Sequence, residues 1–173
     1  EEVGSPNLVP FVDAHTERLA CDVVVISDTG MFAEGLPSLL FSLRGLAYFE
    51  IHVTGARSDL HSGEYGGAVF NPGTALSQTI ASLHDDQGRI TIPGFYDEVV
   101  EWDAETRAQI AALPHSDANF QAELEVAALV GEQGFSTLER LWIRPTCDVN
   151  GMLCGYTDEG AKAVLPNYAM AKV

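Results

Sequence analysis

The sequence predicts a mixed α/β fold (α+β) in which helices cover one face of a mainly antiparallel sheet. From residue 46 onward the predicted elements run strand, helix, strand, helices, strand, strand. Residues 46–54 alternate apolar and polar side chains, as expected for a strand with one face in the core. The apolar content of 46% is ample for a packed core in 173 residues. This order fits a ferredoxin-like β-α-β-β-α-β core with a helical insertion.

The first 45 residues follow a different pattern. Ser5-Pro6-Asn7 is a helix-start signal, and apolar spacing predicts a helix over 7–19. The β-branched run at 22–28 is typical of a buried parallel strand, and a further strand is predicted at 36–43. The change of pattern near Gly45 predicts a domain boundary.

The remaining elements begin and end at clear signals. Asn71-Pro72 predicts a helix cap followed by proline at the first helical position, with the helix running to about His84. We expect helices at 103–112, 116–130 and 135–143, and strands at 90–92, 146–153, 163–166 and 168–173.

The net charge of −16 argues against nucleic acid and anionic membrane surfaces as partners, because both require basic patches. No apolar run approaches the roughly 20 residues of a membrane span. Three cysteines without a CxxC spacing favour reduced thiols in a cytoplasmic setting. Because the chain opens on Glu1 rather than methionine, we expect a segment of a longer protein.

The stretch from Ser58 to Gly67 places one histidine, His61, on a glycine-rich turn between a strand and a helix start. Its small and acidic neighbours cannot bury it, which favours a side chain presented to a ligand or a partner surface. The alternative is a solvent-exposed histidine on an ordinary turn.

Three acidic positions are candidates for metal or base chemistry. Glu1 and Glu2 are adjacent carboxylates, and Asp28 ends the predicted strand at 22–28. Carboxylates at strand ends bind metals or act as bases in many α/β enzymes. The alternatives are an exposed acidic end for the glutamates and a turn-initiating role for Asp28.

Several motifs in order along the chain carry a family resemblance. They are Glu1-Glu2-Val3-Gly4-Ser5, Val25-Ile26-Ser27-Asp28, Arg44-Gly45 before the strand at 48–54, Asp59-Leu60-His61-Ser62-Gly63 with Gly66-Gly67, residues 93–99, and residues 155–166. Together they resemble the dinuclear-zinc metallopeptidases, a family that includes carnosinase-like dipeptidases, acetylornithine deacetylase, succinyl-diaminopimelate desuccinylase and carboxypeptidase G. The chain is most similar to the carnosinase-like dipeptidase branch.

The resemblance implies roles for the candidate residues. Glu1 matches the general base that deprotonates a metal-bridging water, while Glu2 and Asp28 match zinc ligands. His61 matches a lid-domain histidine that contacts the substrate and the developing oxyanion in the partner subunit's site. The implied function is zinc-dependent hydrolysis of a peptide or amide bond in a small peptide or N-acyl amino acid, with two zinc ions, or manganese or cobalt, in a homodimer.

The resemblance also implies the domain organisation. Residues 1–45 correspond to part of a catalytic domain, 46–165 to an inserted lid and dimerisation domain, and 166–173 to a strand that returns to the catalytic domain. Two of the five expected metal ligands are present, so this chain alone is expected to be inactive. Ala163 stands where dipeptidases of this branch commonly carry a substrate-contacting threonine.

Two alternatives of a different class remain open. The chain could serve as a dimerisation module with no activity of its own, because ligand residues are missing. It could also be a ferredoxin-like module that binds a small amino-acid ligand, which the glycine-rich turn and the predicted topology would support.

Overall fold

A computed structural model describes residues 4–26, 28, 30–40 and 42–173, so Glu1 and Glu2 lie outside the described residues. The chain divides into two compact units, the first ending at Ser42 and the second running from Leu43 to Val173. In the part of the chain that the structure describes, no helix has the length and apolar character needed to cross a bilayer.

The first unit contains two short helices, α1 (Leu8–Ala14) and α2 (Thr16–Leu19). The single helix predicted over 7–19 is therefore interrupted at His15, whose φ of −130° and ψ of 24° are not helical. The His15 amide donates to Val12 O at 3.1 Å, a contact three residues back that tightens the last turn of α1.

The two strands predicted in the first unit are not formed by its described residues. Val23 to Ile26 are between 72% and 83% exposed, and Asp28 is also exposed. A strand needs a neighbour for its N–H and C=O groups, and the described residues of this unit provide none for 22–26. The β-branched composition was a correct signal of strand propensity, but propensity without a pairing partner does not make a strand.

The second unit contains five strands and five helices among its described residues. Its strands are β1 (Glu50–Thr54), β2 (Leu60–His61), β3 (Gly151–Cys154), β4 (Val164–Leu165) and β5 (Tyr168–Lys172). Its helices are α3 (Ser62–Tyr65), α4 (Pro72–Ala81), α5 (Ala104–Ala111), α6 (Asp117–Glu123) and α7 (Thr137–Trp142). The mixed α/β fold with an antiparallel sheet is confirmed.

The main sheet has the strand order β1-β5-β3, and both pairings are antiparallel. Ile51 pairs with Ala171 across one side of β5, and Met152 pairs with Ala171 across the other. In the expected ferredoxin-like core, β1, β3 and β5 correspond to the first, second and third strands, and α4 corresponds to the first helix. The third strand lies between the first and the second in that core, as β5 lies between β1 and β3 here. We expected residues 166–173 to return to the catalytic domain, whereas β5 forms the centre of this sheet; the exact domain bounds stay a prediction.

One face of this sheet is covered by α4. Leu76 of α4 is completely buried, as are Ala169 and Ala171 of β5. Four partly buried apolar side chains complete the cluster: Ile51, Val53, Ile80 and Cys154. Alanine at alternate positions of β5 leaves room for the helix to approach the sheet, so the small residues of the central strand set the depth at which Leu76 packs.

The start of α4 confirms the cap predicted at Asn71-Pro72. Asn71 Oδ1 accepts hydrogen bonds from the amides of Gly73 at 2.9 Å and Thr74 at 3.3 Å. Pro72 occupies the first turn, where a missing N–H costs nothing, and its ring is fully buried. The cap thus fixes the beginning of the helix that covers the sheet.

Between α4 and β3 lies a helical insertion, residues 85–144, with its own charged interior. Arg144 is 3% exposed and donates to both carboxylate oxygens of Glu132, at 2.8 Å and 2.9 Å. Its guanidinium carbon lies 4.2 Å from the centre of the Phe135 ring. A buried arginine with two such partners keeps its charge, and the interaction holds the segment that follows α7 to the loop that carries Glu132.

The helices of this insertion are capped by their own side chains. Ser136 and Glu139 form a capping box at the start of α7, with the Ser136 amide donating to Glu139 Oε2 at 2.6 Å. The helix predicted over 116–130 ends at Glu123, because Glu125 takes a left-handed φ of 54° in a Schellman turn.

We predict that Leu76→Ala lowers the free energy of unfolding by about 2–5 kcal/mol, because it leaves a cavity between α4 and β5. Urea unfolding followed by circular dichroism measures the change. Leu153→Ala is the matched control, since Leu153 is 57% exposed on β3 and its truncation opens no cavity. Equal losses in the two variants would contradict the assignment of Leu76 to the core.

Glu139 makes the stability of the insertion depend on pH. Burial by itself raises the pKa of Glu139, but the hydrogen bonds from Arg107 and from Ser136 outweigh it and lower the pKa from 4.5 to about 2. Because the folded-state pKa is depressed, this stabilisation is complete above pH 4.5 and is lost as the pH falls from there toward 2.

We therefore predict that Glu139→Gln destabilises the protein by about 1–3 kcal/mol at neutral pH and flattens the loss of stability in acid. Thermal unfolding recorded from pH 7 down to pH 2.5 tests both effects. Glu105→Gln is the control, because Glu105 is exposed in the first turn of α5 and has no buried arginine partner. An unchanged acid limb in Glu139→Gln would refute the assignment.

Candidate functional site

The His61 turn is attached to the second unit by a short pair of strands. In β2 and β4, Leu60 pairs with Leu165 and His61 pairs with Val164. The Ser62 amide then donates to Ala163 O at 3.2 Å. Residues 60–62 and 163–165 therefore lie side by side, although about one hundred positions separate them in sequence. This pairing brings together His61, for which the family resemblance implies a substrate contact, and Ala163, which stands where the family branch commonly carries a substrate-contacting threonine.

Asp59 provides a second attachment. Its Oδ1 accepts a hydrogen bond from the Asn167 amide at 2.9 Å. Asn167 O in turn accepts from the Gly55 amide at 2.8 Å. Gly55 and Asp59, near the two ends of the loop between β1 and β2, are thus both bonded to Asn167, which directly precedes β5. The turn is positioned by the central strand of the sheet.

His61 has a defined ring orientation. It is the N-cap residue of α3, and its Nδ1 accepts a hydrogen bond from the Gly63 amide at 3.0 Å. An imidazole nitrogen that accepts carries no proton, so the neutral ring holds its proton on Nε2. The side chain is exposed, and Nε2 makes no hydrogen bond within the described part of the chain. His61 therefore presents an N–H donor to the exterior of the unit.

The neighbouring histidine His52 shows a different arrangement. Its Nδ1 lies 2.6 Å from the Tyr168 hydroxyl, and its Nε2 lies 2.9 Å from Glu50 Oε2. Both ring nitrogens are thus satisfied on the polar face of β1, as the alternation of this strand predicted. The contrast leaves His61 as the better candidate for a ligand contact.

The loop before Ala163 carries a cation. Lys162 Nζ lies 5.4 Å from the centre of the Tyr156 ring, and the Tyr156 hydroxyl donates to Glu159 O at 2.9 Å. Because Ala163 has no hydroxyl, this side of the turn offers the backbone and Lys162, but no side-chain donor at position 163. The arrangement can bind and orient a polar ligand.

The predicted metal residues are not assembled into a site by the described residues. Asp28 is exposed in the first unit, and Glu1 and Glu2 lie outside the described part. Among residues 4–26, 28, 30–40 and 42–173, no group of three or more histidine, cysteine or acidic side chains is placed to hold a metal ion. The described residues by themselves therefore do not form a dinuclear centre.

Three functional features escaped the sequence reasoning. The β2–β4 pairing joins strands of two residues each, which is too short for any periodicity to be read. Asp59 anchors the turn, and Gly63 contacts the His61 ring. The Asp59-Leu60-His61-Ser62-Gly63 motif marks these residues as notable, but its spacing does not show which groups they bond to.

Comparison with known proteins decides the family. Residues 41–173 match the peptidase dimerisation domain of the M20 type. The chain belongs to the M20 peptidase family. Its carnosinase-like branch, expected from the motifs, is confirmed by the relatives to which the chain is similar.

Curated M20 relatives include two kinds of dipeptidase. The chain is 32% identical to the Cys-Gly metallodipeptidase of Schizosaccharomyces pombe, over 99% of this chain and 37% of that protein. It is 29% identical to the human Beta-Ala-His dipeptidase, over 99% of this chain and 34% of that protein. The chain therefore spans about a third of the length of the relatives it matches.

Solved M20 structures share the fold. An M20 family metallo-carboxypeptidase from Sulfolobus solfataricus superimposes with a TM-score of 0.80 at 33% identity, covering 96% of this chain and 43% of that chain. Human carnosine dipeptidase 1 gives a TM-score of 0.74 at 27% identity, covering 99% of this chain and 36% of that chain.

We predict that Asp59→Ala accelerates hydrogen exchange of the Asn167 amide by roughly tenfold or more, because that N–H loses its acceptor. Hydrogen exchange measured by mass spectrometry on peptides spanning residues 163–170 reports the change. Asp59→Asn is the matched variant, since an amide oxygen can still accept from Asn167. If Asp59→Ala exchanges at the wild-type rate, Asp59 does not anchor the turn.

Proposed function

We propose that the chain is the lid-bearing segment of a metal-dependent dipeptidase that hydrolyses the peptide or amide bond of a small peptide or N-acyl amino acid. The names of its M20 relatives, a Cys-Gly metallodipeptidase and a Beta-Ala-His dipeptidase, support this substrate class. The outward N–H donor of His61, on a segment that matches a dimerisation domain, is the observation that carries the proposal.

The proposed organisation has two parts. Residues 1–45 belong to a catalytic domain, and the lid and dimerisation domain begins near residue 46. We extend the lid through β5, because this strand pairs with both β1 and β3. The agreement between the second unit, which starts at Leu43, and the family match, which starts at residue 41, supports this division.

The complete enzyme is proposed to use two zinc ions, with manganese or cobalt as substitutes. The metal would supply a water activated for attack on the scissile carbonyl. Glu1 is proposed as the base that takes a proton from this water, and Glu2 and Asp28 as metal ligands. The support for these roles is their place in the family motifs, since the described residues alone do not form the centre.

His61 is proposed to act in the active site of the second subunit of a homodimer. There its Nε2–H would donate to the substrate carbonyl oxygen as negative charge develops on it. Removing one such donor typically lowers turnover by roughly 10²–10³-fold. The support is geometric: within the described part of the chain, no acidic or histidine cluster accompanies His61, so a donor aimed outward needs a reacting partner from elsewhere.

The proposed compartment is the cytoplasm. Cys21, Cys147 and Cys154 are all free thiols, as expected for a protein kept under reducing conditions.

A second candidate function is a dimerisation module without activity of its own. The match of residues 41–173 to a dimerisation domain and the lack of a metal cluster among the described residues favour it for this segment taken alone. Light scattering on the 173-residue chain tests the module: a dimer supports it, and a monomer at high concentration opposes it.

We predict that two inactive variants of the full-length protein complement each other. Glu1→Gln removes the proposed base but keeps His61, and His61→Ala removes the donor but keeps Glu1. A mixed dimer then contains one site with both groups if His61 acts in the partner subunit. Co-expressed variants should recover roughly a quarter of wild-type turnover, since half the dimers are mixed and each has one competent site.

The control is co-expression of the two changes on one chain with the unmodified chain. If His61 acts across the interface, each site of that mixed dimer lacks one of the two groups, so only the unmodified homodimers, roughly a quarter of all dimers, are active. If His61 acts within its own subunit, the mixed dimer keeps one intact site and roughly half of the turnover remains. Tags on the two chains confirm that mixed dimers form. Mixed dimers of Glu1→Gln and His61→Ala without activity would contradict the action of His61 across the interface.

A further inference from the structure

Gly63 contacts the His61 ring in two ways. Its amide donates to Nδ1 at 3.0 Å, and its lack of a side chain leaves room for the ring. A Cβ atom at Gly63 would lie 2.8 Å from His61 Cε1 and 3.1 Å from Nδ1, so the imidazole ring would have to shift to accommodate it. The ring therefore occupies the space that any other residue at position 63 would fill.

Backbone conformation does not explain a glycine at this position. Gly67, in the same turn, has a left-handed φ of 81°, which favours glycine for steric reasons. Gly63 has no such φ and lies in the first turn of α3, where alanine is the better helix former. Among the described contacts, the imidazole is the group that a side chain at position 63 would displace.

We propose that Gly63 is the positioning residue of His61: it fixes the proton on Nε2 and holds the ring so that this N–H faces outward. The inference rests on the proposed function of His61 and adds which residue orients its ring for that function. With Nδ1 occupied by the Gly63 amide, His61 has one free nitrogen, and that nitrogen already bears a proton. His61 then donates a hydrogen bond and keeps its proton throughout the reaction.

The test uses the full-length protein with four variants. Gly63→Ala keeps the amide donor but places a methyl group against the ring, and His61→Ala removes the ring. His61→Asp keeps an acceptor for the Gly63 amide, because Asp Oδ1 can take the place of Nδ1, but its carboxylate has no N–H donor. Gly151→Ala is the control, since a Cβ at Gly151 meets nothing within 4 Å and its φ is not left-handed.

Two readouts separate positioning from folding. Steady-state kinetics gives kcat and KM for a dipeptide such as Cys-Gly, with thermal unfolding as a check on the fold. Long-range ¹H–¹⁵N spectra of histidine-labelled protein report which ring nitrogen of His61 bears the proton. We expect Gly63→Ala to lower kcat by roughly 10–100-fold with the fold retained and to change the His61 nitrogen shifts. Gly151→Ala should match the wild type in both.

The outcomes distinguish this inference from the proposed function. Full turnover in His61→Ala would overturn the function proposed for His61 itself. Loss of turnover in His61→Ala together with wild-type turnover in Gly63→Ala would overturn only the positioning role. Wild-type turnover in His61→Asp would show that the Nε2–H is dispensable and would also overturn the inference. A lowered kcat in Gly63→Ala with unchanged His61 nitrogen shifts would count against it.

Discussion

The antiparallel pairing of β5 with both β1 and β3 is the constraint on which the second unit depends. Because β5 is central, its alternate alanines, Ala169 and Ala171, set how closely α4 approaches the sheet. The same strand begins directly after Asn167, whose amide and carbonyl hold the loop that leads to His61. Core packing and the position of the candidate functional residue are therefore consequences of one strand.

The candidate site is built by backbone contacts more than by side-chain clusters. The turn is held by main-chain hydrogen bonds to Ala163 and Asn167, and the ring of His61 is held by the Gly63 amide. Such an arrangement preorganises a single donor but supplies no nucleophile, base or metal. That arrangement suits a dimerisation domain, the domain type that residues 41–173 match.

The sequence predicted the second unit better than the first, for physical reasons. The alternation at 46–54 and the Asn71-Pro72 cap are local signals, and β1 and α4 form as expected within a few residues. The β-branched run at 22–28 was an equally strong local signal for a strand. A strand also needs pairing partners, which the local sequence pattern does not reveal. His61 could be selected from its motif, whereas its tautomer depended on the Gly63 contact, which only three-dimensional coordinates show.

The helical insertion can change during evolution independently of the sheet, because its charged interior is separate from the core under α4. The side chains of Arg144, Glu132 and Glu139 find their charged partners within residues 85–144, and the hydrophobic cluster under α4 uses none of them. Substitutions in the two regions should therefore have nearly additive effects on stability. The insertion can diverge in length and surface among related enzymes while the geometry of the sheet, and with it the direction of the His61 N–H, stays the same.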